Sequence, residues 1–380
     1  MGSGKRVLLI AADFPPSVGG TAAYAHALGE GLRRAGADVH VVTSVGDRDA
    51  AAMTGVRVTR SPSILNRRWL KTLPLFWFGL ISYLRDRPHW VVLMKCTHEG
   101  LVGYFLKRVL GARCVVVAYG AELLERRGDR TTRAVFQSAD RILVDSAYTA
   151  ELIYELGLDR NKVHVFYPGF APTPLLPRDA VRTARARYDL DGKLVLLTVA
   201  RLVKHKGHDQ VLRALPLLAK QHANLVYLIV GDGEERRSLR QQIAALGVAP
   251  MVRMLGSLPW VEIEQLYQVC DVFVMPSRQE GTDVEGLGMV YFEAGLMGKP
   301  VVGGRSGGVP EAVREGETGF LVNPTDPEDI ARVLARLLSD APLRKQMGDN
   351  GRRRVLEEFS HERSAQQLAA ALVDGRGDRP

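Results

Sequence analysis

The chain has 380 residues, long for one domain and ample for two. With 46% apolar and 24% charged residues it is not a disordered chain, and its glycines and prolines follow no repeat, which excludes collagen-like and low-complexity architectures. The net charge of +9 is uneven: residues 1–170 carry 23 basic and 15 acidic side chains, residues 171–380 carry 28 and 27, and residues 57–87 alone hold seven basic and one acidic. Nucleic acid, a membrane surface or an anionic ligand are the partners such a distribution brings forward.

Short β-rich apolar runs alternate with helical patterns from end to end. In chain order the pattern predicts strands at 7–11, 38–43, 90–94, 114–117, 141–144 and 163–166, then at 194–199, 226–230, 252–255, 272–275, 300–302 and 319–322. Helical periodicity is clear at 21–35, 209–221 and in a closing stretch at 360–373. Runs without polar alternation point to parallel strands covered on both faces, hence two doubly wound α/β domains facing across a cleft. Four prolines within residues 167–178 mark the join. The expected boundaries are 1–170, 171–358 and a C-terminal helix and tail, 359–380, packing back toward the first domain. Cys96, Cys114 and Cys270 are far apart and form no CxxC pair, which disfavours a disulfide framework or a zinc site and fits a reducing cytosol. The most apolar window, residues 73–84, falls short of the roughly 20 residues that span a bilayer.

In open parallel sheets, ligands bind beyond the carboxyl ends of the strands, so the loops there hold the candidates. The first strand runs into Asp13-Phe-Pro-Pro-Ser-Val-Gly-Gly, and Gly19 and Gly20 then open a helix. Amides at that end can approach an anion, although the same pair also makes a plain turn. The spacing is not GxGxxG, which counts against a dinucleotide site. After the strand at 194–199, Arg201-Leu-Val-Lys-His-Lys-Gly-His-Asp sets Arg201 and Lys206 at a strand end, a fork and a compact charge for phosphate oxygens. A solvated basic loop is the alternative. His205 and His208 have no acidic cluster beside them and read as loop histidines. The densest constellation is Pro276-Ser-Arg-Gln-Glu-Gly-Thr-Asp-Val-Glu-Gly-Leu-Gly-Met-Val-Tyr-Phe-Glu-Ala. It places Glu285 on a loop and Glu293 about one turn into a helix that begins near Met289. The amides of Gly288, Met289 and Val290 are then free for phosphate oxygens, and the carboxylates can accept from sugar and ribose hydroxyls.

These stretches, with Val230-Gly-Asp-Gly, Leu255-Gly-Ser-Leu-Pro, Met275-Pro-Ser-Arg, Gly307-Gly-Val-Pro-Glu and Glu317-Thr-Gly-Phe-Leu-Val, resemble the family 4 retaining glycosyltransferases of GT-B fold over nearly the whole chain. The resemblance implies transfer of a sugar from a nucleotide-diphosphate donor, a UDP- or GDP-sugar, to a hydroxyl acceptor with retention of the α configuration. It assigns Arg201 and Lys206 to the diphosphate, Glu293 to the ribose hydroxyls and Glu285 to the donor sugar. Gly19 and Gly20 would bring a backbone amide to the phosphates, and the backbone near Leu258 would read the base. No DxD motif stands at a strand end, so no metal or other cofactor is expected, and no carboxylate nucleophile is named. The loop at 280–291 resembles that of members using GDP-mannose on inositol lipids, and similar loops occur with UDP-sugars.

One departure stands out. The family usually carries a histidine before the glycine after the fourth strand, and here the run is Ala118-Tyr119-Gly120-Ala121-Glu122. Tyr119 can donate a hydrogen bond but is no near-neutral acid or base. It joins Arg201, Lys206 and Glu285 in the expected catalytic set, and two explanations compete: a variant donor-sugar pocket, which the intact phosphate-binding residues favour, or reduced activity on ordinary donors. Within residues 57–87, basic residues flank an aromatic-rich run, the composition of a segment lying on an anionic membrane surface, although Pro74 and Gly79 weaken a continuous helix there. A cytoplasmic enzyme, peripheral at the inner face of the membrane, is the expected setting. The alternatives are a nucleotide-sugar epimerase and a non-catalytic nucleotide-sugar binder. A nucleic-acid partner is disfavoured by the near-neutral second half.

Overall fold

The computed structural model describes residues 4–15, 17, 19–44, 55–61 and 72–372. The chain divides into two compact units, Met1–Ala171 with Phe359–Pro380, and Pro172–Glu358.

The first unit is built on β1 (Arg6–Ala11), β2 (Asp38–Thr43), β3 (Arg57–Arg60), β4 (Trp90–Leu93), β5 (Cys114–Ala118), β6 (Arg141–Val144) and β7 (Val163–Val165). These strands form one parallel sheet in the order β3-β2-β1-β4-β5-β6-β7. The second unit contains β8 (Leu194–Val199), β9 (Leu225–Val230), β10 (Val252–Gly256), β11 (Val272–Met275), β12 (Val301–Gly304) and β13 (Gly319–Val322), again all parallel, in the order β10-β9-β8-β11-β12-β13. Consecutive side chains of the central strands, such as Leu8 and Leu9 or Leu196 and Leu197, are fully buried. Since neighbours on a strand point to opposite faces, helices cover both sides of each sheet. The twelve predicted strands are all present. The unpredicted one is β3, whose sequence Arg-Val-Thr-Arg has too little apolar content to announce itself and which sits at the sheet edge.

The strand order reverses between β1 and β4 in the first sheet and between β8 and β11 in the second. Each reversal opens a crevice at the carboxyl ends of two neighbouring strands.

Residues 72–86 form one continuous helix, Thr72–Asp86, despite Pro74 and Gly79. Pro74 lies in the first turn, where no backbone donor is required. A Cβ on Gly79 would sit 3.1 Å from Ile10 and 3.3 Å from Val102, so the glycine permits close packing on the sheet. Phe170 donates its amide to Phe359 (2.8 Å), and the closing helix, His361–Leu372, lies on the helix Gly20–Arg34. There, a Cβ on Gly31 would come within 2.7 Å of Leu368 and 3.0 Å of Ser364. Gly31→Val is expected to cost about 1–3 kcal/mol by overpacking. Denaturant unfolding, with limited proteolysis at residues 359–372, measures the loss and the release of this helix.

Candidate active site

In the second unit, the crevice between β8 and β11 gathers most of the predicted residues. The loop after β8 carries Arg201 and ends in the short turn Lys204–Lys206; the loop after β11 carries Glu285 and delivers the helix Met289–Leu296. Arg201 is exposed, and its guanidinium has no hydrogen-bond or ion-pair partner among the described residues. Lys206 is mostly buried and paired directly with Glu285, equally sheltered. The amide of Gly308 donates to the Glu285 carbonyl (2.9 Å), so the loop after β12 braces the same segment. Gly288 caps the following helix in the left-handed region, φ 83°. The amides of Met289 and Val290, in the first turn of that helix, have no acceptor within it.

Glu293 lies one turn further on. Its Oε2 accepts a hydrogen bond from Tyr267 (2.8 Å), and burial pushes its carboxyl up to about 7 against the opposing pull of that hydroxyl. Leu258 stands half-buried in the loop after β10.

A second set of residues, which the motifs did not disclose, fixes these loops. Arg278 is buried, with its guanidinium forked onto Asp209 (2.8 and 3.2 Å) and its Nε on Glu280 (3.0 Å). Its amide donates to the His205 carbonyl (2.8 Å), and Lys204 holds the other side of Glu280 (2.8 Å). Gly207 completes the junction: φ is 78°, and a Cβ there would lie 2.2 Å from the Pro276 carbonyl oxygen. His205 and His208 are buried rather than loop-surface residues. Burial, reinforced by Lys206, lowers them to about 4 and about 3, so both rings are neutral at ordinary pH. The sequence gives no local sign of this, because their cover comes from the distant β11 loop.

In the first unit, the β1/β4 crevice holds a separate polar group. Lys95 pairs with Asp13 (2.8 Å), buried Glu99 accepts from the Ala12 amide (2.8 Å), and Glu122 accepts from the amide and thiol of Cys96 (3.0 and 2.8 Å). Burial raises Glu122 to about 7. Gly19, φ 146°, caps the helix begun by Gly20. Tyr119, half-buried, follows β5 with its ring edge-on to Tyr24 (5.5 Å), while its hydroxyl is buried without a hydrogen-bond partner among the described residues. Pro16 and Val18 of the first loop lie outside the described residues.

The model of the "Glycosyl transferase 4-like domain" matches residues 19–169, and that of "Glycosyl transferases group 1" matches residues 181–354. A GDP-mannose-dependent alpha-(1-6)-phosphatidylinositol monomannoside mannosyltransferase of Mycolicibacterium smegmatis is 33% identical, over 97% of this chain and 98% of that protein. The chain belongs to family 4 of the glycosyltransferases. This glycosyltransferase also shares its fold with Anabaena Alr3699/HepE solved with UDP (TM-score 0.79, 21% identity, 97% of this chain and 99% of that one). The sucrose-phosphate synthase of Thermosynechococcus elongatus is similar too (TM-score 0.80, 22% identity, 96% and 98%). The enzyme is a nucleotide-sugar-dependent hexosyltransferase of GT-B fold; the epimerase and non-catalytic alternatives are not favoured.

Because Arg278 ties the two loops of the β8/β11 crevice, Arg278→Ala is expected to cost about 1.5–3 kcal/mol through lost charge-assisted hydrogen bonds. Urea unfolding reads the stability, and calorimetric titration with nucleoside diphosphate reads the accompanying loss of affinity.

Proposed function

We propose that this glycosyltransferase moves mannose from GDP-mannose to a hydroxyl of an anionic, inositol-type lipid acceptor, retaining the α configuration. The observation that carries the donor half is the convergence of Arg201, Lys206, Glu285, Glu293 and a helix N-terminus at one switch point. As the bond from the anomeric carbon to the diphosphate breaks, negative charge grows on the departing oxygen. Arg201, Lys206 and the amides of Gly288, Met289 and Val290 are the groups we assign to stabilise it. Glu285 would then face the sugar hydroxyls and Glu293 the ribose. This reading gives leaving-group stabilisation to side chains and helix amides rather than to a metal.

The choice of GDP-mannose and of a lipid acceptor is supported by the mannosyltransferase from M. smegmatis, whose name specifies both. The acceptor half has its own physical support. On the helix Thr72–Asp86, Leu73, Trp77, Ile81 and Leu84 are each more than half exposed, one stripe at helical spacing. Leu101, Val109 and Leu110 on the adjoining helix His98–Leu110 are also exposed, as are Arg85, Arg87 and Arg108. Arg67, Arg68 and Lys71 of the basic stretch lie outside the described residues. None of the described helices is long and apolar enough to cross a membrane. A stripe of this kind with flanking cations suits an anionic lipid surface.

A thermal-shift screen of UDP-, GDP-, ADP- and dTDP-sugars is expected to select GDP-mannose. Lys206→Ala should lower kcat about 10²- to 10³-fold in a transfer assay, and a chelator should leave the wild-type rate unchanged. Sedimentation with phosphatidylinositol-containing vesicles at low salt should show binding. Trp77→Ser with Ile81→Ser should weaken it about tenfold or more. A wild-type protein that stays in the supernatant refutes the lipid-surface reading.

A further inference from the structure

A carboxylate that is to accept hydrogen bonds from two adjacent hydroxyls must be both ionised and fixed in rotation. Glu293, on the helix Met289–Leu296, sits in a crevice that opposes ionisation. The restraint comes from the neighbouring helix, Trp260–Val269, where Tyr267 is completely buried and its hydroxyl donates to Oε2 of Glu293 at 2.8 Å. The tyrosine cannot easily turn away. Its ring packs on Phe273 of β11 (centroids 5.7 Å apart), and Phe273 packs in turn edge-on against Tyr291 (5.7 Å). Tyr291 presses on Gly288, where a Cβ would lie 2.5 Å from its ring, and donates to the Met275 carbonyl. One aromatic ladder thus supports both Glu293 and the start of its helix.

We infer that Tyr267 is a positioning residue for the donor: its hydroxyl holds the Glu293 carboxylate in the orientation in which the free oxygen accepts from the ribose. This rests on the assignment of Glu293 to the ribose. Among the described residues, Tyr267 is the titratable group acting on Glu293, and Cys270 acts on Tyr267 from the same helix end. The hydroxyl opposes the upward push that burial gives the carboxyl. Removing it therefore raises that pKa further, and binding that needs the carboxylate is lost at a higher pH as the solution is acidified.

The test is calorimetric titration of the full chain with GDP and with 2′-deoxy-GDP across pH 5.5–8, beside donor kinetics. Tyr267→Phe is expected to weaken GDP about tenfold at pH 7, to move the acid limb of binding to higher pH, and to shrink the difference between GDP and its 2′-deoxy form. The donor KM should rise with kcat little changed. Glu293→Gln, measured alongside, tests the assignment beneath. If it leaves GDP affinity and the 2′-deoxy penalty unchanged, the ribose assignment fails and this inference with it. If it removes the penalty while Tyr267→Phe alters neither affinity nor the acid limb, the positioning role alone is overturned. Should Tyr267→Phe unfold, 3-fluorotyrosine placed at 267 keeps the shape and strengthens the donor. The acid limb must then move to lower pH, and an unmoved limb overturns the inference.

Discussion

The ion pair between Arg278 and Asp209 joins the loop after β11 to the first turn of the helix His208–Ala219 that follows β8, and the candidate site of the second unit depends on that joint. A parallel sheet delivers the β8 and β11 loops to the same edge but leaves their irregular backbones without ladder partners. The Arg278 amide supplies one such partner, to the His205 carbonyl, and its guanidinium adds two side-chain ties, a fork on Asp209 and Nε on Glu280. Gly207 lets the two backbones approach closer than any side chain allows. Lys206 and Glu285 are then opposed by the framework rather than by chance encounter of flexible chains. That is the form of pre-organisation that charge stabilisation in a transition state requires.

In both units, burial sets the charge of the enclosed polar groups. Glu293 and Glu122 are both pushed up to about 7 by burial, while His205 and His208 are pushed down to about 4 and 3. The two effects bear on stability with opposite sign. A carboxyl whose folded pKa exceeds its ordinary 4.5 stabilises the fold at low pH, and that contribution is lost as pH rises from 4.5 through about 7. A histidine whose folded pKa lies below 6.5 stabilises above that value, and its contribution is lost as pH falls toward 4 and 3. Over the interval between, each gain offsets a loss.

The strands were legible because burial on both faces writes an uninterrupted apolar run, and the loops that follow them carry the glycines and charges that mark a site. Arg201, Lys206, Glu285 and Glu293 stand out as candidates by that logic, while their roles were implied by the resemblance to family 4. β3 could not, since Arg57 and Arg60 fill half of its four positions. The continuity of the helix through Pro74 and Gly79 depends on a first-turn position and on contact with Ile10 and Val102, neither of which composition reveals. Tyr267 and Glu293 are 26 positions apart, and Arg278 and Asp209 are 69 apart. Pairings of that range arise from strand order, which local periodicity does not encode.

The positive charge of residues 57–87 changes meaning once its partners are seen. Arg57 and Arg85 both rest on Asp86 (2.8 and 3.0 Å), and Arg60 donates to the Pro15 carbonyl (2.9 Å). Part of the excess therefore ties β3 and the end of the helix Thr72–Asp86 together. A cation already paired contributes less than the roughly 1 kcal/mol that a free basic residue gains beside an anionic leaflet. Leu73, Trp77, Ile81 and Leu84 have no such prior commitment: more than half of each faces outward. Full burial of a side chain of this size is worth about 1.5–3 kcal/mol, so four half-exposed ones together outweigh Arg87 and Arg108, the exposed cations at the ends of the helices Thr72–Asp86 and His98–Leu110 that no carboxylate pairs among the described residues. Attachment to a lipid surface would then rest on the apolar stripe, with charge choosing which surface, and moderate salt would weaken binding without abolishing it.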